Sequence, residues 1–333
     1  MAQTTVNQHP RDRLRARIDR SVQAAVTVSG LLVLMTLMLI FVYLLFAVLP
    51  LFKPAAMGQA KPLTISASAP ALALGMDVQQ RIGYRIDAQG QGQFYPLTQQ
   101  NAHPLTQQTL LAKPTLLTQA AGERDLFALA QADGRFIVAS ADFAAAGASA
   151  PQWLFPLGQR PLTLDKQGRA LTLLTLAEAR RGQYLLAGVT EDRRLVFGRF
   201  GSDHPPQLSE ITLDSAVQQL VLTPDGRQLY LLAGNRLARY QINDTQLQLK
   251  ETRTLGEHSP YQLTALPGGS ALLIEAPDGS VREWFDVEKD RRWQLTPVQH
   301  FDHQSEPQDL LVAEPYRRVF ATLRPDGGFS LFS

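Results

Sequence analysis

The chain has 333 residues, of which 45% are hydrophobic and 19% are charged, and its formal net charge at pH 7 is +2. Five arginines and two aspartates lie in the first twenty residues, so the rest of the chain has no excess of cations. A nucleic-acid-binding domain needs such an excess to neutralise phosphates, and this class is therefore excluded. The absence of cysteine excludes disulfides, thiolate nucleophiles, iron–sulfur clusters and cysteine-based zinc sites.

An uncharged segment, residues 21–52, follows this basic tail. Its inner part, Gly30 to Leu49, is almost entirely apolar, and a helix of that length spans about 30 Å, the thickness of the hydrocarbon core of a bilayer. The segment is therefore predicted to be a transmembrane helix. The alternative is a cleaved signal peptide, with small residues such as Ala55 and Ala56 after the apolar run. The length of the run favours an uncleaved anchor.

The distribution of positive charge predicts the orientation of this helix. Arginines precede the apolar segment within ten residues, whereas only Lys53 and Lys61 follow it closely. Because positive residues are retained on the cytoplasmic side of a first span, the tail 1–20 is expected in the cytoplasm. The large domain is then periplasmic, and the protein is a single-pass protein of the bacterial inner membrane.

Residues 53–62 form a short linker bounded by prolines, and residues 63–333 have the pattern of an all-β domain. Short runs rich in Leu, Val, Tyr and Phe alternate with Gly, Pro, Asp and Asn, which is typical of strands joined by tight turns. The segment Leu171 to Arg180 is the best helix candidate, but LTLLTL favours a strand. Five similar turns precede strands, and their glycines are Gly134, Gly168, Gly226, Gly279 and Gly327.

The separations of these glycines, 34, 58, 53 and 48 residues, are near the length of one four-stranded propeller blade. The segment DGSVREWFDV, with Val281, Trp284 and Asp286, resembles the end of a WD-type blade. We therefore predict a WD40-like β-propeller of six or seven degenerate blades, preceded by the single N-terminal transmembrane helix. A pair of β-sandwiches and an eight-bladed quinoprotein-like propeller are the alternatives.

The sequence predicts no catalytic, cofactor-binding or metal-binding residues. It has no phosphate-binding loop, nucleophile elbow or zinc-protease helix motif. His300, Asp302 and His303 form the one close cluster of possible metal ligands, but alternation along a strand separates His303 from the other two. We interpret this cluster as a solvated loop, and His204 and His258 as turn residues.

Arginine pairs and tryptophans are the other candidates for a binding site. Arg81 with Arg85, and Arg193 with Arg194, could form an anion site, but arginines near Asp-rich turns are more often solvent-facing and paired with neighbours. The three tryptophans are predicted to pack between strands rather than to form a binding platform; they are Trp153, Trp284 and Trp293.

The order of an arginine-rich tail, a span ending in LIFVYLLFAVLPLF (Leu39 to Phe52), a proline-bounded linker and a degenerate β-repeat domain resembles one known family. It is similar to the N-terminal part of the long form of the PstC-type permease of bacterial phosphate ABC transporters. In that family the first transmembrane helix precedes a periplasmic insertion of propeller-like repeats and further helices. No translocation-path residue or ATPase-docking loop of the family has a counterpart in this sequence.

The resemblance implies a non-enzymatic membrane component of a phosphate ABC transporter, as a truncated, split or N-terminal part of the permease, with the propeller as a periplasmic scaffold or regulatory module. Its implied partners are another permease subunit, the ABC ATPase, the periplasmic phosphate-binding protein and the lipid bilayer. The alternative is a membrane-anchored envelope propeller for protein assembly or sensing, unrelated to phosphate. A third hypothesis, a propeller enzyme such as a lactonase or dehydrogenase, needs a metal or quinone site that the sequence does not indicate.

Overall fold

The computed structural model describes most of the chain outside its first nine residues. The described residues are 10–52, 64–65, 69–99, 101–122, 125–143, 150–201, 205–244, 246–257, 261–269, 271–289, 292–301, 310–314, 317–326 and 328–332. Two compact units are present, residues 1–61 and 62–333. The predicted linker 53–62 lies outside the described residues.

The N-terminal unit contains one long helix, α1 (Pro10–Val48), which ends in a 3-10 turn (Leu49–Phe52). It begins eleven residues before the predicted apolar span, because proline is well suited to the first helical position and the arginine-rich segment is rich in helix formers. The part from Arg20 to Val48 is long and apolar enough to cross a membrane, and none of its surface is buried. The hydroxyls of Thr27 and Thr36 donate to backbone carbonyls one turn earlier, so these polar groups are satisfied inside the helix.

The second unit contains only β-strands among its regular elements in the described residues. In chain order they are β1 (Thr64–Ile65), β2 (Ala71–Met76), β3 (Ile82–Asp87), β4 (Gln91–Pro96), β5 (Asn101–Ala102), β6 (Thr106–Thr109), β7 (Leu116–Ala121), β8 (Leu126–Ala130), β9 (Arg135–Asp142), β10 (Gln152–Leu154), β11 (Leu162–Thr163), β12 (Leu171–Arg180) and β13 (Gln183–Thr190). They continue as β14 (Arg194–Gly201), β15 (Gln207–Thr212), β16 (Gln219–Leu222), β17 (Gln228–Ala233), β18 (Arg236–Asn243), β19 (Gln246–Thr254), β20 (Gln262–Ala265), β21 (Ala271–Glu275), β22 (Val281–Lys289), β23 (Arg292–Phe301), β24 (Leu310–Ala313), β25 (Phe320–Leu323) and β26 (Phe329–Phe332). The segment 171–180 is a strand, as predicted.

Most of these strands form six consecutive antiparallel meanders, which we name blades 1 to 6, while β1 and β5 pair with each other in parallel and β11 pairs with β9. Their strand orders are β2-β3-β4-β6, β7-β8-β9-β10, β12-β13-β14-β15, β16-β17-β18-β19, β20-β21-β22-β23 and β24-β25-β26. Blades 2 and 3 touch through their first strands, where β7 and β12 pair in parallel at two positions. Radial repetition of such meanders is the architecture of a propeller. The predicted all-β propeller with one N-terminal helix is therefore confirmed, and a pair of sandwiches is excluded.

Each blade packs face to face on the next through a cluster of buried apolar side chains. Five clusters join blades 1 and 2, 2 and 3, 3 and 4, 4 and 5, and 5 and 6. Phe136 and Phe200, for example, meet edge to face at 4.9 Å between blades 2 and 3. Such a ring pair adds about 0.5 to 1.5 kcal/mol beyond the burial of its area.

The two end blades have open apolar faces. Among the described residues no buried cluster joins blade 6 to blade 1. Leu74 in β2 and Leu331 in β26 are 68% and 64% exposed, and Phe329 is also exposed. In blades 1 and 6 these apolar side chains face solvent, whereas between the other blades such side chains are buried.

The turn between the second and third strands recurs from blade to blade. In the first five blades it contains one residue with a positive φ angle: Gly90, Gly134, Arg193, Gly234 and Gly279. The amide of Gly134 donates to the carbonyl of Gln131 at 3.1 Å, and that of Gly279 to Ala276 at 2.9 Å. A left-handed conformation costs little for glycine, which explains its use at four of these five positions.

The positions of these turns correct the predicted repeat, because the five turn glycines do not all occupy the same place in a blade. Gly134 and Gly279 lie in equivalent turns, but Gly226 lies between the first and second strands of blade 4, and Gly168 precedes the first strand of blade 3. Gly327 is outside the described residues. The amides of Gly168 and Gly226 make the same kind of turn hydrogen bond, at 3.0 and 2.9 Å. The local sequence is similar because the turn is similar, although its place in the blade differs.

Candidate binding groove between blades 4 and 5

The three tryptophans have different environments. Trp153 and Trp284 are only 5% and 8% exposed and pack in the inter-blade clusters, as predicted. Trp293 is 60% exposed, so the prediction that it packs between strands is wrong. Trp293 lies at the start of β23, the outermost strand of blade 5, opposite Glu288. No further strand of that blade covers this position in the described residues.

Trp293 borders a groove of about 760 Å³ between the outer strands of blades 4 and 5. Strands β17, β18 and β19 contribute one wall, and β22 and β23 contribute the other. Most of the side chains that line it are charged or carry an amide; they are Arg227, Gln228, Arg239, Gln241, Lys250, Glu251, Thr252, Arg253, Asp286, Trp293 and Gln294. We call this the blade 4–5 groove.

Arg239 is the central residue of the groove and is only 6% exposed. Its guanidinium binds the Asp286 carboxylate of blade 5 through Nη1 and the Glu251 carboxylate of its own blade through Nη2, the latter at 3.3 Å. Nη2 also donates to the backbone carbonyl of Trp293 at 3.0 Å. A buried guanidinium needs such compensation because its removal from water is costly. Arg239 thus links the two blades at the base of the groove.

Further polar contacts fix these carboxylates. Gln228 Nε2 donates to Asp286 at 2.7 Å, and the Tyr230 hydroxyl donates to Gln228 Oε1 at 2.6 Å. The backbone amide of Leu295 donates to Glu251 at 3.0 Å. Burial raises the pKa of Tyr230 well above its usual value, and the Asp286 charge adds to this effect, so the phenol remains a donor at neutral pH.

One donor at the base of the groove remains unsatisfied. The Nε–H of Arg239 is buried and has no hydrogen-bond partner among the described residues. Buried donors without a partner are uncommon and are often satisfied by water or a ligand. The rim has a different character, because Arg227 and Lys250 are exposed there. Arg253 lies over the buried Trp284 ring at 5.4 Å and pairs with Glu251 at 3.3 Å.

One arginine of each pair considered as an anion site is engaged with a carboxylate. Arg194 is buried and binds Asp165 with both terminal nitrogens, at 3.0 and 3.1 Å, while Arg193 is exposed at a turn. Arg85 is also buried, lies 3.5 Å from Asp87 and donates to the carbonyl of Ala69. The predicted pairing with neighbours is confirmed for Arg85 and Arg194, but these two side chains are buried and do not face solvent.

The histidine cluster gives no metal site within the described residues. His300 is exposed on β23, whereas Asp302 and His303 lie outside the described residues, as do His204 and His258. No group of three or more possible metal ligands occurs in the part of the chain that the structure describes.

A second cavity, of about 540 Å³, lies among the first strands of several blades. Strands β7, β20 and β24 contribute to it, with Gln119, Thr264 and Glu314 as its polar residues. Alanines and other apolar residues form most of the remaining wall. Its lining also includes Phe320 and Ala321 in β25 and Leu331 in β26, and Glu314 is the one titratable side chain among the described residues that line it.

Fold and groove together define the class: an all-β propeller with one N-terminal apolar helix and a polar groove between two blades. No protein family and no curated protein matches the sequence. Among solved structures, the chain is similar to the β-propeller domain of Cps50 (Swd1) from Myceliophteria thermophila, with a TM-score of 0.47 and 12% identity. The match covers 78% of this chain and 82% of that domain.

Proposed function

We propose that this chain is a membrane-tethered, non-enzymatic component of a bacterial phosphate ABC transporter, with the propeller as a periplasmic scaffold for partner proteins. The observation that carries the tether is the uncovered apolar surface of α1. Within its segment from Arg20 to Val48, an 18-residue stretch has a mean hydropathy of 2.9, and no residue of that stretch is buried. An apolar surface of this size needs lipid or other apolar helices around it.

The scaffold part of the proposal is supported by the propeller itself. Propellers present loops and grooves on a rigid ring, and the open faces of blades 1 and 6 add exposed apolar side chains such as Leu74 and Leu331. Exposed apolar patches of this kind often mark interaction sites. The phosphate part rests on the resemblance of residues 39–52 and of the element order to the PstC-type permease.

Affinity purification of the full chain from its own bacterium, in mild detergent, tests this proposal. We expect the ABC ATPase and a multispanning permease subunit to copurify, and the phosphate-binding protein to associate when phosphate is present. A matched control replaces residues 21–52 with an unrelated transmembrane helix. Because this control keeps the tether but changes the helix surface, it should lose the permease and the ATPase.

Purification of the chain without any transporter subunit would contradict the transporter proposal. Expression that does not change on phosphate starvation would contradict it independently. Copurification with other envelope proteins under those conditions would support the alternative, an envelope propeller for assembly or sensing.

A further inference from the structure

Trp293 has a solvent-exposed indole ring at the edge of the blade 4–5 groove. A tryptophan usually buries most of its surface, and 60% exposure leaves much of the indole without protein contacts. Its backbone is fixed, since its carbonyl accepts the hydrogen bond from buried Arg239 and its strand pairs with β22. An indole exposed to this extent can stack on the apolar face of a ligand.

The groove next to this ring offers both hydrogen-bond donors and acceptors. The amides of Gln241 and Gln294 and the hydroxyl of Thr252 can each donate and accept, and two carboxylates accept only. A sugar ring matches this mixture, because each of its hydroxyls both donates and accepts and its C–H face is apolar. Inorganic phosphate matches less well, because it has no apolar face to stack on the indole of Trp293.

The charges in the groove favour an acidic ligand over a neutral one. Four cations line it, Arg227, Arg239, Lys250 and Arg253, against the two carboxylates. Arg239 and Arg253 are committed to those carboxylates, which leaves Arg227 and Lys250 at the exposed rim. Arg227 has only a distant contact with Asp225, at 3.7 Å. A carboxylate on the ligand would neutralise these rim charges.

We propose that the blade 4–5 groove binds an acidic saccharide, a pyranoside that carries a carboxylate, with a sugar face stacked on Trp293 and the carboxylate at Arg227 and Lys250. This site does not depend on the proposed transporter role, because binding is a property of the isolated chain.

The test is titration of the full chain with trigalacturonate, maltotriose and inorganic phosphate, in a detergent without a sugar headgroup. Calorimetry and the fluorescence of the exposed tryptophan report binding. We expect trigalacturonate to bind at least about tenfold more tightly than maltotriose, and phosphate not to compete. Trp293→Ala should weaken trigalacturonate binding at least about tenfold, and Trp293→Phe should retain part of the affinity. The double substitution R227A/K250A should remove the preference for the acidic sugar.

Val298→Ala is the matched control, because Val298 is also exposed on β23 but does not line the groove. It should bind trigalacturonate like the unmodified chain, and circular dichroism should show that every variant is folded. Failure of both sugars to bind, binding of phosphate alone, or unchanged affinity in Trp293→Ala would overturn the proposal. Equal affinity for the two sugars would overturn its acidic specificity.

Discussion

Asp192 illustrates how single charged residues are stabilised in this propeller. It accepts hydrogen bonds from Arg194 Nε at 2.9 Å and from the Thr190 hydroxyl at 2.5 Å, and it lies 2.8 Å from Arg169. The hydrogen bond from Arg194 is the largest of the effects that lower the pKa of Asp192 to about 2. The pKa of an aspartate in an unfolded chain is about 3.9. The folded state therefore favours the charged form.

Replacing the Asp192 carboxylate is expected to change the stability of the protein in a pH-dependent way. Because the folded pKa is depressed, the contribution of Asp192 is present above about pH 4 and is lost as the pH falls through about 2. We expect Asp192→Asn to lower the melting temperature at pH 7, and this difference to disappear near pH 2. Thermal unfolding followed by circular dichroism between pH 2 and pH 7 checks this.

Asp244→Asn provides the comparison for Asp192→Asn. Asp244 is 92% exposed at its side chain and lies 3.4 Å from Arg199. An exposed ion pair of this kind contributes little, so its loss should leave the melting temperature nearly unchanged at both ends of the range. A constant difference between Asp192→Asn and the unmodified chain at all pH values would contradict the role assigned to Asp192.

Among the structural elements, the turn between the second and third strands of a blade constrains which residue can occupy it. Gly134 in blade 2 has a φ of +73°, and a Cβ at this position would lie 2.5 Å from the carbonyl oxygen of Arg169. Arg169 belongs to the connection that enters blade 3. This turn therefore has two constraints, a left-handed backbone and a close approach of another segment.

Alanine substitutions at Gly182 and Gly134 distinguish the cost of the left-handed backbone from the cost of the close approach. Gly182 has a φ of +76°, and nothing lies within 4 Å of the position of its Cβ. Gly182→Ala should cost about 1 to 2 kcal/mol for the left-handed backbone alone. Gly134→Ala should cost about 1 to 3 kcal/mol more, because of the clash with Arg169. Urea denaturation of both variants measures the difference, and equal losses would show that the close approach does not constrain the turn.

At the scale of the whole molecule, the location of the propeller relative to the membrane can be tested with single cysteines, because the chain has none of its own. Val78 is 90% exposed, and Val78→Cys should react with a membrane-impermeant maleimide in intact spheroplasts. Gln3→Cys, in the basic tail, should react only after permeabilisation. Leu129→Cys, at a fully buried position, should react only after unfolding.

Two results would contradict the proposed topology. Labelling of Gln3→Cys but not Val78→Cys in intact spheroplasts would reverse the orientation. A mature protein that is shorter than the full chain and lacks the label at position 3 would show that the apolar segment is a cleaved signal sequence instead of an anchor.

Features that depend on neighbouring residues along the chain could be predicted from the sequence. An uncharged apolar run of sufficient length predicts a membrane-length helix, and α1 contains it. Alternating apolar runs and Asp-Gly turns predict strands, so the β-rich domain and the strand at 171–180 were predictable. Repetition of these turns predicts a propeller. All of these signals are local, because a turn or strand is encoded within about ten residues.

The equivalence of the turns and the position of the groove depend on packing between distant segments and could not be predicted from the sequence. Gly168 and Gly226 resemble the turn glycines of other blades but occupy different places, because the same local turn can connect different pairs of strands. Arg239 and Asp286 are 47 residues apart and meet only because blades 4 and 5 pack side by side. Trp293 is exposed for a related reason: its burial depends on whether another strand covers β23. Packing between distant segments sets these contacts, and no short stretch of sequence encodes them.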